Sequence, residues 1–446
     1  MNLGIDALPS TCDVLVVGAG PAGSAAAAVL ARAGLDVVLV DQHAFPRDKV
    51  CGDALIPDAH QALARLGVLD AVLGQACSSG FVGCIAPRGG RVDVPGQLAV
   101  LPRKLLDDIV CRAAVAAGAR MFAPVRFIGT LDEGEGAPGG VSGASPRVVG
   151  AHLMQGEVSR ELRARWVLLA TGAVPQALLA AGMAKRHTPS GIALRGYVRN
   201  DAMVGRISAL EIVWHRALTP GYGWIFPCGG GVFNIGAGVA DSHDGRRNGR
   251  VVKREINLRE LMESFQRVYA PARELMQGGA LLAPMKGAPL RCTLEGARFT
   301  RPGLMVVGEA AGSTYSFTGE GIGKALETGI HAAEAIVAGA ARAGAMAQAG
   351  ATTEARTAAA TAADTAADTR VRADYEARLL ALKPRFDLYQ RANLVNRHPW
   401  ITDLLVWRAQ RSPRIVRRMS GVLDETSNPG NLLSVKGFMR LFLDRA

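Results

Sequence analysis

The glycines of GAGPAG, Gly18, Gly20 and Gly23, follow the apolar run DVLVV and precede SAAAAVLARAG and LDVVLVD, which reads as strand, tight turn, helix and strand. Missing side chains at this spacing permit the turn, the close approach of a pyrophosphate and the packing of helix on strand, and the helix N-terminus stabilises the anion. Asp41 closes the second strand, where a carboxylate accepts hydrogen bonds from ribose hydroxyls. With no arginine beside it in sequence, Asp41 favours an adenosine with a free 2′-hydroxyl, which leaves FAD and NAD open and disfavours NADP. A glycine turn of an ordinary α/β protein is the competing reading, and the pairing of GxGxxG with Asp41 weighs against it.

Just downstream, Cys51 lies between Lys49 and Gly52, with Asp53 next. A thiol flanked by a cation is expected to have a lowered pKa and to act as a proton donor or redox group; Asp53 is the alternative acid. A buried structural thiol is the bland reading. In PGYGWIFPCGGGVFNIGAGV, Tyr222, Trp224 and Phe226 alternate along a strand and share one face, lining either an apolar pocket or an ordinary sheet core. Glu211, Trp214 and His215 lie close by without an assigned role.

The elements that must hold these residues follow from period and punctuation. After the first βαβ unit, LPRKLLDDIVCRAAVAAGAR has helical period with Leu105, Ile109 and Ala113 on one face, preceded by Arg103. RWVLLATG at 165–172 reads as a buried strand ending in a glycine turn, and the uncharged stretch from Trp166 to Ala184 as strand plus turn rather than a bilayer span. From Gly191 to Gly238 short strands alternate with Gly and Pro turns, which predicts a separate sheet domain. The apolar GLMVVGEAAG and the glycine-rich helix entry FTGEGIGKALETG bring the dinucleotide pattern back after residue 300. Residues 333–370 are dominated by Ala and Thr and read as an exposed helix or flexible linker, and Leu379 to Ala446 as a helical extension.

At 446 residues two or three domains are expected, and 49% apolar with 20% charged residues suits a packed enzyme better than a disordered or fibrous chain. Lys and Arg exceed Asp and Glu by 51 − 39 = 12, with RAQRSPRIVRR at 408–418 a strong contributor. That segment reads either as a solvated helix face or as a surface for a phosphorylated substrate, an acidic carrier or peripheral contact with an anionic membrane. Nucleic acid is not expected, since no aromatic or Arg/Gly-rich reading element accompanies the charge. The seven cysteines form no CxxC pair and no zinc spacing with histidine, so no metal site is expected and a reducing cytoplasm fits best. The N-terminus lacks the pattern of a secretion signal.

The late signatures resemble those of FAD oxidoreductases related to p-hydroxybenzoate hydroxylase, and the resemblance selects FAD over NAD. It implies that Glu309, following Gly308 where relatives more often carry Asp, contacts the flavin ribityl chain. It also implies that Gly319, Gly321 and Ile322 bring backbone amides to the pyrophosphate or flavin ring, and that Arg103 packs on the cofactor. More narrowly, Tyr222, Trp224, Phe226 and Pro227 followed by Gly236 and Gly238, together with KVCGDALIP and YSFTGEGIGKALETGIHAAEAI, resemble the geranylgeranyl reductase family across about three quarters of the chain. In that family the cysteine matching Cys51 lies near the isoalloxazine, which makes Cys51 the first catalytic and cofactor-contacting candidate. The chain departs from the hydroxylases at Ala170-Thr171-Gly172, which lacks their Asp-Gly pair, and carries Ser316 where many relatives have Pro.

These readings imply an α/β protein, α+β overall. A Rossmann-like FAD-binding domain is expected over 1–58, 98–182 and 290–345, an inserted antiparallel-sheet substrate domain over 59–97 and 183–289, and an Ala-rich linker with a helical C-terminal region over 346–446. The function implied is reduction of carbon–carbon double bonds in an isoprenoid or related hydrophobic small molecule, with NADPH or reduced ferredoxin as electron donor. The alternative is an FAD-dependent monooxygenase or halogenase tailoring a secondary metabolite, since GYGWIFP is similar to the halogenase GWxWxIP. A non-catalytic flavin-binding protein is a third class.

Overall fold

The computed structural model describes residues 2–133, 146–240, 245–247, 250–252, 256–348 and 356–426. The first βαβ unit forms as read: β1 (Thr11–Val17), α1 (Pro21–Arg32) and β2 (Val37–Val40). Strand β1 is parallel to β2 on one side and to Val158–Leu169 on the other, with Val14 opposite both Val37 and Trp166. The eight-stranded sheet continues through Leu304–Val306 at one end and Arg120–Phe122 at the other. Its strands are near-continuous Val and Leu because helices cover one face and an antiparallel hairpin and turns the other. Each such side chain fully removed from water contributes about 1.5–3 kcal/mol.

The tight turn requires its glycines. Gly18 has φ +102°, and a Cβ there would lie 2.4 Å from the Ala170 carbonyl oxygen; a Cβ on Gly23 would meet the Gly18 carbonyl oxygen at 1.8 Å. Helix α2 (Arg103–Ala116) packs beside α1. Arg103 opens this helix rather than preceding it. Of the face formed by Leu105, Ile109 and Ala113, Leu105 is exposed while Ile109 and Ala113 are partly buried against the core, and Leu106, Val110, Cys111 and Ala114 are fully buried. The two stripes are one residue apart, and α1 with its small alanines accepts the one that carries Arg103 and Asp107.

The second sheet has nine strands and is mainly antiparallel, running from Gly191–Arg199 through Val232–Ala240, Gly221–Gly229 and Leu210–Val213 to the hairpin Cys77–Ile85 and Arg91–Val100, with Ala54–Leu55 at its edge. Ala54–Leu55, the end of Arg91–Val100 and the end of Lys286–Leu290 therefore join this sheet, beyond the limits expected for it. The stretch from Trp166 to Ala184 contains, besides strand and turn, a short helix at Gln176–Ala180.

Helix α3 (Ile322–Gln348) starts at the glycine-rich entry. It buries Leu326, Ile330, Ala332, Ala333, Ala335 and Ile336 in the core around α1, so the start of the Ala-rich region is packed rather than exposed. Helix α4 (Arg356–Ala392) buries Val371, Tyr375 and Leu379 in the same core. It is tied to the first sheet where the Tyr375 hydroxyl donates to the Val306 carbonyl at 2.7 Å and Asp368 accepts from Arg147 and the Gly303 N–H. A one-turn helix at Leu394–Arg397 follows, then two longer ones, α5 (Trp400–Ala409) and α6 (Pro413–Leu423), which both lie on the second sheet. No helix among the described residues is long and apolar enough to cross a membrane.

Candidate active site

Both sheets and the start of α3 enclose a cavity of about 540 Å³, inside the usual range for ligand sites. At one end it meets the N-terminus of α1. Asp41 accepts there from the Ala19 N–H at 3.0 Å and from the His43 N–H at 2.9 Å. The expectation of no arginine beside Asp41 is corrected in space: Arg47 ion-pairs with Asp41 at 3.3 Å and with Asp107 at 2.9 Å. The loop after β2 folds back over the strand end, a contact that adjacency in sequence does not reveal. Arg103 forms a two-pronged bond to Asp107 at 2.7 and 2.9 Å, so one buried carboxylate steadies two guanidinium groups. A Cβ on Gly20 would lie 3.6 Å from Arg47 Nη2 and 3.9 Å from Arg103 Nη2.

Two guanidinium groups facing a helix N-terminus across a glycine make a cradle for a pyrophosphate. The Thr171 and Ser316 hydroxyls line the cavity region and are buried without a hydrogen-bond partner among the described residues, as expected where a polar ligand completes them. These residues fit a flavin dinucleotide. Glu309 follows Leu304–Val306 on a single 3₁₀ turn and lines the cavity, with Thr314 Oγ1 at 3.5 Å. Gly308 does not line it; its N–H donates to Thr328 Oγ1 and its Cα faces Ala22, a packing position like Gly23. Gly319, Gly321 and Ile322 line it, but the Gly319 N–H already donates to the Tyr315 carbonyl at 2.9 Å, which corrects the expectation that this amide is free for a ligand.

Further along the cavity, Cys51 and Asp53 meet side chains from the second sheet. Asp53 is fully buried and holds φ +68°, a strained conformation for a residue with a side chain. Its Oδ2 accepts from the Tyr197 hydroxyl at 2.5 Å and from Asn234 Nδ2 at 2.7 Å, and Oδ1 faces the Arg103 N–H at 3.3 Å. Burial pushes its pKa up to about 6, although Tyr197, Arg195, Asn234 and Arg103 all favour the charged form. Cys51 Sγ accepts from the Asp53 N–H at 3.3 Å. Here too the sequence expectation is corrected. The thiol pKa is raised by burial, with the nearby Asp53 adding to it, and the cations Arg103 and Lys49 offset this only in part. Cys51 therefore holds its proton at neutral pH. Such shifts gather at functional sites.

Asn234 was not singled out by the sequence, yet it links these groups. Its Oδ1 accepts from Trp224 Nε1 at 2.9 Å, and its Nδ2 donates to the Cys51 carbonyl at 2.8 Å as well as to Asp53. A lone amide in the apolar run VFNIGAGV was the signal available. Arg195 was also missed; it donates to Asp48 at 2.7 Å and the Lys49 carbonyl at 2.9 Å, fixing the loop before Cys51.

Tyr222, Trp224 and Phe226 share one face, as expected, with ring centroids 6.2 and 6.4 Å apart, and all three line the cavity. The GxG that follows them has a steric cause. Gly236 lies directly across from Trp224, and a Cβ there would sit 2.1 Å from the indole. Behind Tyr222, Trp214 stacks on Phe317 and donates to Asn396 Oδ1 at 2.8 Å, tying the aromatic row to the helices after α4. Val82, Leu98, Leu210, Ile212 and Leu423 of α6 extend the lining with apolar surface.

Residues 11–199 match the FAD binding domain family. Among curated proteins the chain is similar to a menaquinone reductase of Mycolicibacterium smegmatis, 35% identical over 73% of this chain and 76% of that protein. It is also similar to a digeranylgeranylglycerophospholipid reductase of Methanosarcina mazei, 28% identical over 72% and 74%. The fold is shared with a geranylgeranyl bacteriochlorophyll reductase-like protein of Thermoplasma acidophilum, TM-score 0.66 at 21% identity over 98% and 96% of the two chains. A flavin-dependent brominase shares it too, at TM-score 0.63 and 17% identity over 96% and 99%. A flavin-binding cradle, a GxG fitted to its aromatic row and relatives of this kind converge on one assignment: the chain belongs to the geranylgeranyl reductase family of FAD-dependent oxidoreductases.

Proposed function

We propose that the protein reduces carbon–carbon double bonds of an isoprenoid chain, the chain lying along Tyr222, Trp224 and Phe226 with its reacting alkene near Cys51 and Asp53. The observation that carries this reading is the meeting, in one cavity, of an apolar aromatic row with partly buried Cys51 and fully buried Asp53, which hold protons at neutral and mildly acidic pH respectively. Bound FAD, once reduced by two electrons from an external donor, would supply a hydride for one alkene carbon. The chain has to supply a proton to the neighbouring carbon and keep water away. Cys51 suits the donor role because burial keeps its thiol protonated, and Asp53, hydrogen-bonded to half-exposed Tyr197, suits replenishment of that proton.

Gly18, Gly20, Asp41, Arg103, Glu309, Gly321 and Ile322 are the residues we assign to holding the cofactor, with Gly23, Gly308 and Gly319 shaping the turns that carry them. The electrons come from NADPH or reduced ferredoxin. Ala170-Thr171-Gly172 carries no carboxylate for nicotinamide handling, which favours a donor that needs no such contact. The substrate is free or linked to a phosphate or carrier. The free cysteines suit a reducing compartment.

Anaerobic incubation of the FAD-loaded protein with dithionite and prenylated quinones or geranylgeranyl lipids, followed by mass spectrometry, tests the reading. A gain of two hydrogens supports it. A gain of oxygen or halogen when air and halide are admitted, with no hydrogen gain in their absence, supports the oxygenase or halogenase branch instead.

A further inference from the structure

We propose that the outer face of α5 and α6 docks on an anionic lipid bilayer and so presents the apolar end of the cavity to membrane-dissolved substrate. Helix α5 turns Ile401, Thr402, Val406 and Ala409 inward and exposes Trp400 and Trp407 at helical spacing on the opposite side, with exposed Arg411 just past its end. Trp400 is 57% and Trp407 44% exposed. A single exposed apolar side chain is ordinary, but two indoles on one face beside arginines form the arrangement that sits at a bilayer interface, ring in the acyl boundary and charge among headgroups. The Arg411 guanidinium lies 4.9 Å over the Trp407 ring, so cation and indole belong to one patch.

Helix α6 continues the patch with exposed Arg414, Arg417 and Arg418 while burying Ile415 and Val422. From Leu404 to Leu423 the sequence holds no acid, and Arg411, Arg414, Arg417 and Arg418 are all exposed. Asp403 is half-buried and accepts from the Arg88 N–H at 2.9 Å, which leaves the outer surface cationic. Headgroups of anionic lipid match that sign, and each basic side chain near such a surface adds to the attraction. An acidic protein would match the arginines but gives no account of the indoles.

The patch is continuous with the site. The inner faces of α5 and α6 pack in the same apolar cluster as Val82, Leu98, Trp224 and Phe226, and Leu423 at the end of α6 lines the cavity itself. One layer of helix separates the surface from the apolar end of the pocket. The part of the proposal that concerns delivery rests on the isoprenoid reading; the docking itself does not.

The test uses the full FAD-loaded chain floated with vesicles of phosphatidylcholine alone or mixed with phosphatidylglycerol. Binding at least about tenfold tighter to the mixed vesicles is expected, weakened by high salt and accompanied by a blue shift of tryptophan emission. The Arg414→Glu/Arg417→Glu/Arg418→Glu variant should lose the preference for anionic vesicles, and Trp400→Ser/Trp407→Ser should bind both vesicle types at least about tenfold more weakly. Retained FAD absorbance shows that the variants are folded. Equal binding of the parent to both vesicles, no binding to either, or arginine variants that bind as the parent does would overturn the proposal. Turnover of a short, water-soluble prenyl substrate separates this from the functional reading: folded variants should keep it, and a parent that binds vesicles yet reduces no prenyl chain would refute the reductase reading while the docking face stands.

Discussion

The Tyr197 hydroxyl donates a 2.5 Å hydrogen bond to Oδ2 of Asp53, joining a half-exposed residue of one strand to a carboxyl with no exposed surface. That bond favours the ionised form of Asp53 and partly offsets the burial that, on balance, leaves its pKa raised to about 6.

Removing the hydroxyl should therefore raise the Asp53 pKa further. In Tyr197→Phe the limb of the kcat/KM profile that reports Asp53 is expected to move to higher pH, and in Asp53→Asn that limb should vanish while FAD still binds. A profile unchanged in both variants would remove Asp53 from proton transfer.

Cys51→Ala should lower turnover by about 10²- to 10⁴-fold, the usual worth of a positioned proton donor, with the FAD spectrum retained. Because burial raises the thiol pKa, iodoacetamide should modify Cys51 more slowly at pH 8 than it modifies a free cysteine. Full turnover in the Ala variant would make the thiol structural.

Gly236→Ala puts a methyl where the Trp224 indole lies, so the ring or the strand must shift. A loss of about 1–3 kcal/mol in a denaturant titration is expected, as for overpacking in cores, together with weaker turnover because Trp224 also holds Asn234. A wild-type midpoint would show that the ring moves at no cost.

The contribution of three buried carboxyls to stability should fall as pH rises from about 4 to 8. Burial raises the pKa of Asp53 to about 6, of Asp58 to about 7 and of Glu320 to about 8. A carboxyl whose folded pKa is raised holds its proton longer in the native state, so the native state is favoured at low pH and loses that advantage as pH passes through the folded value. Asp58, Glu327 and Glu425 share the ammonium of Lys324, which offsets the penalty only in part. Asp58→Asn should flatten the fall between pH 4 and 7 by on the order of 3 kcal/mol, measured by chemical denaturation at each pH. An identical slope in parent and variant would refute it.

What could be read from the sequence was what is local. GAGPAG announces its turn because Gly18 and Gly23 meet backbone only a few residues or one strand away, and the aromatic row announces its face because alternation is a property of any strand. Arg47 on Asp41, and Tyr197, Arg195 and Asn234 around Asp53 and Cys51, were invisible or unassigned because the contacts cross from one sheet to another or depend on how a loop folds back. The sign of the Cys51 shift was misjudged for the same reason: neighbouring charge is written in sequence, whereas burial is a property of the whole fold.

The donors around Asp53 also fix the orientation of its carboxyl. Oδ2 is engaged by two donors, Tyr197 and Asn234, and the Asn234 amide cannot turn over, because Trp224 offers its oxygen only a donor and the Cys51 carbonyl offers its nitrogen only an acceptor. Oδ1 in turn faces the Arg103 N–H, so both carboxyl oxygens are held and the plane of the Asp53 carboxyl is fixed whichever oxygen carries the hydrogen.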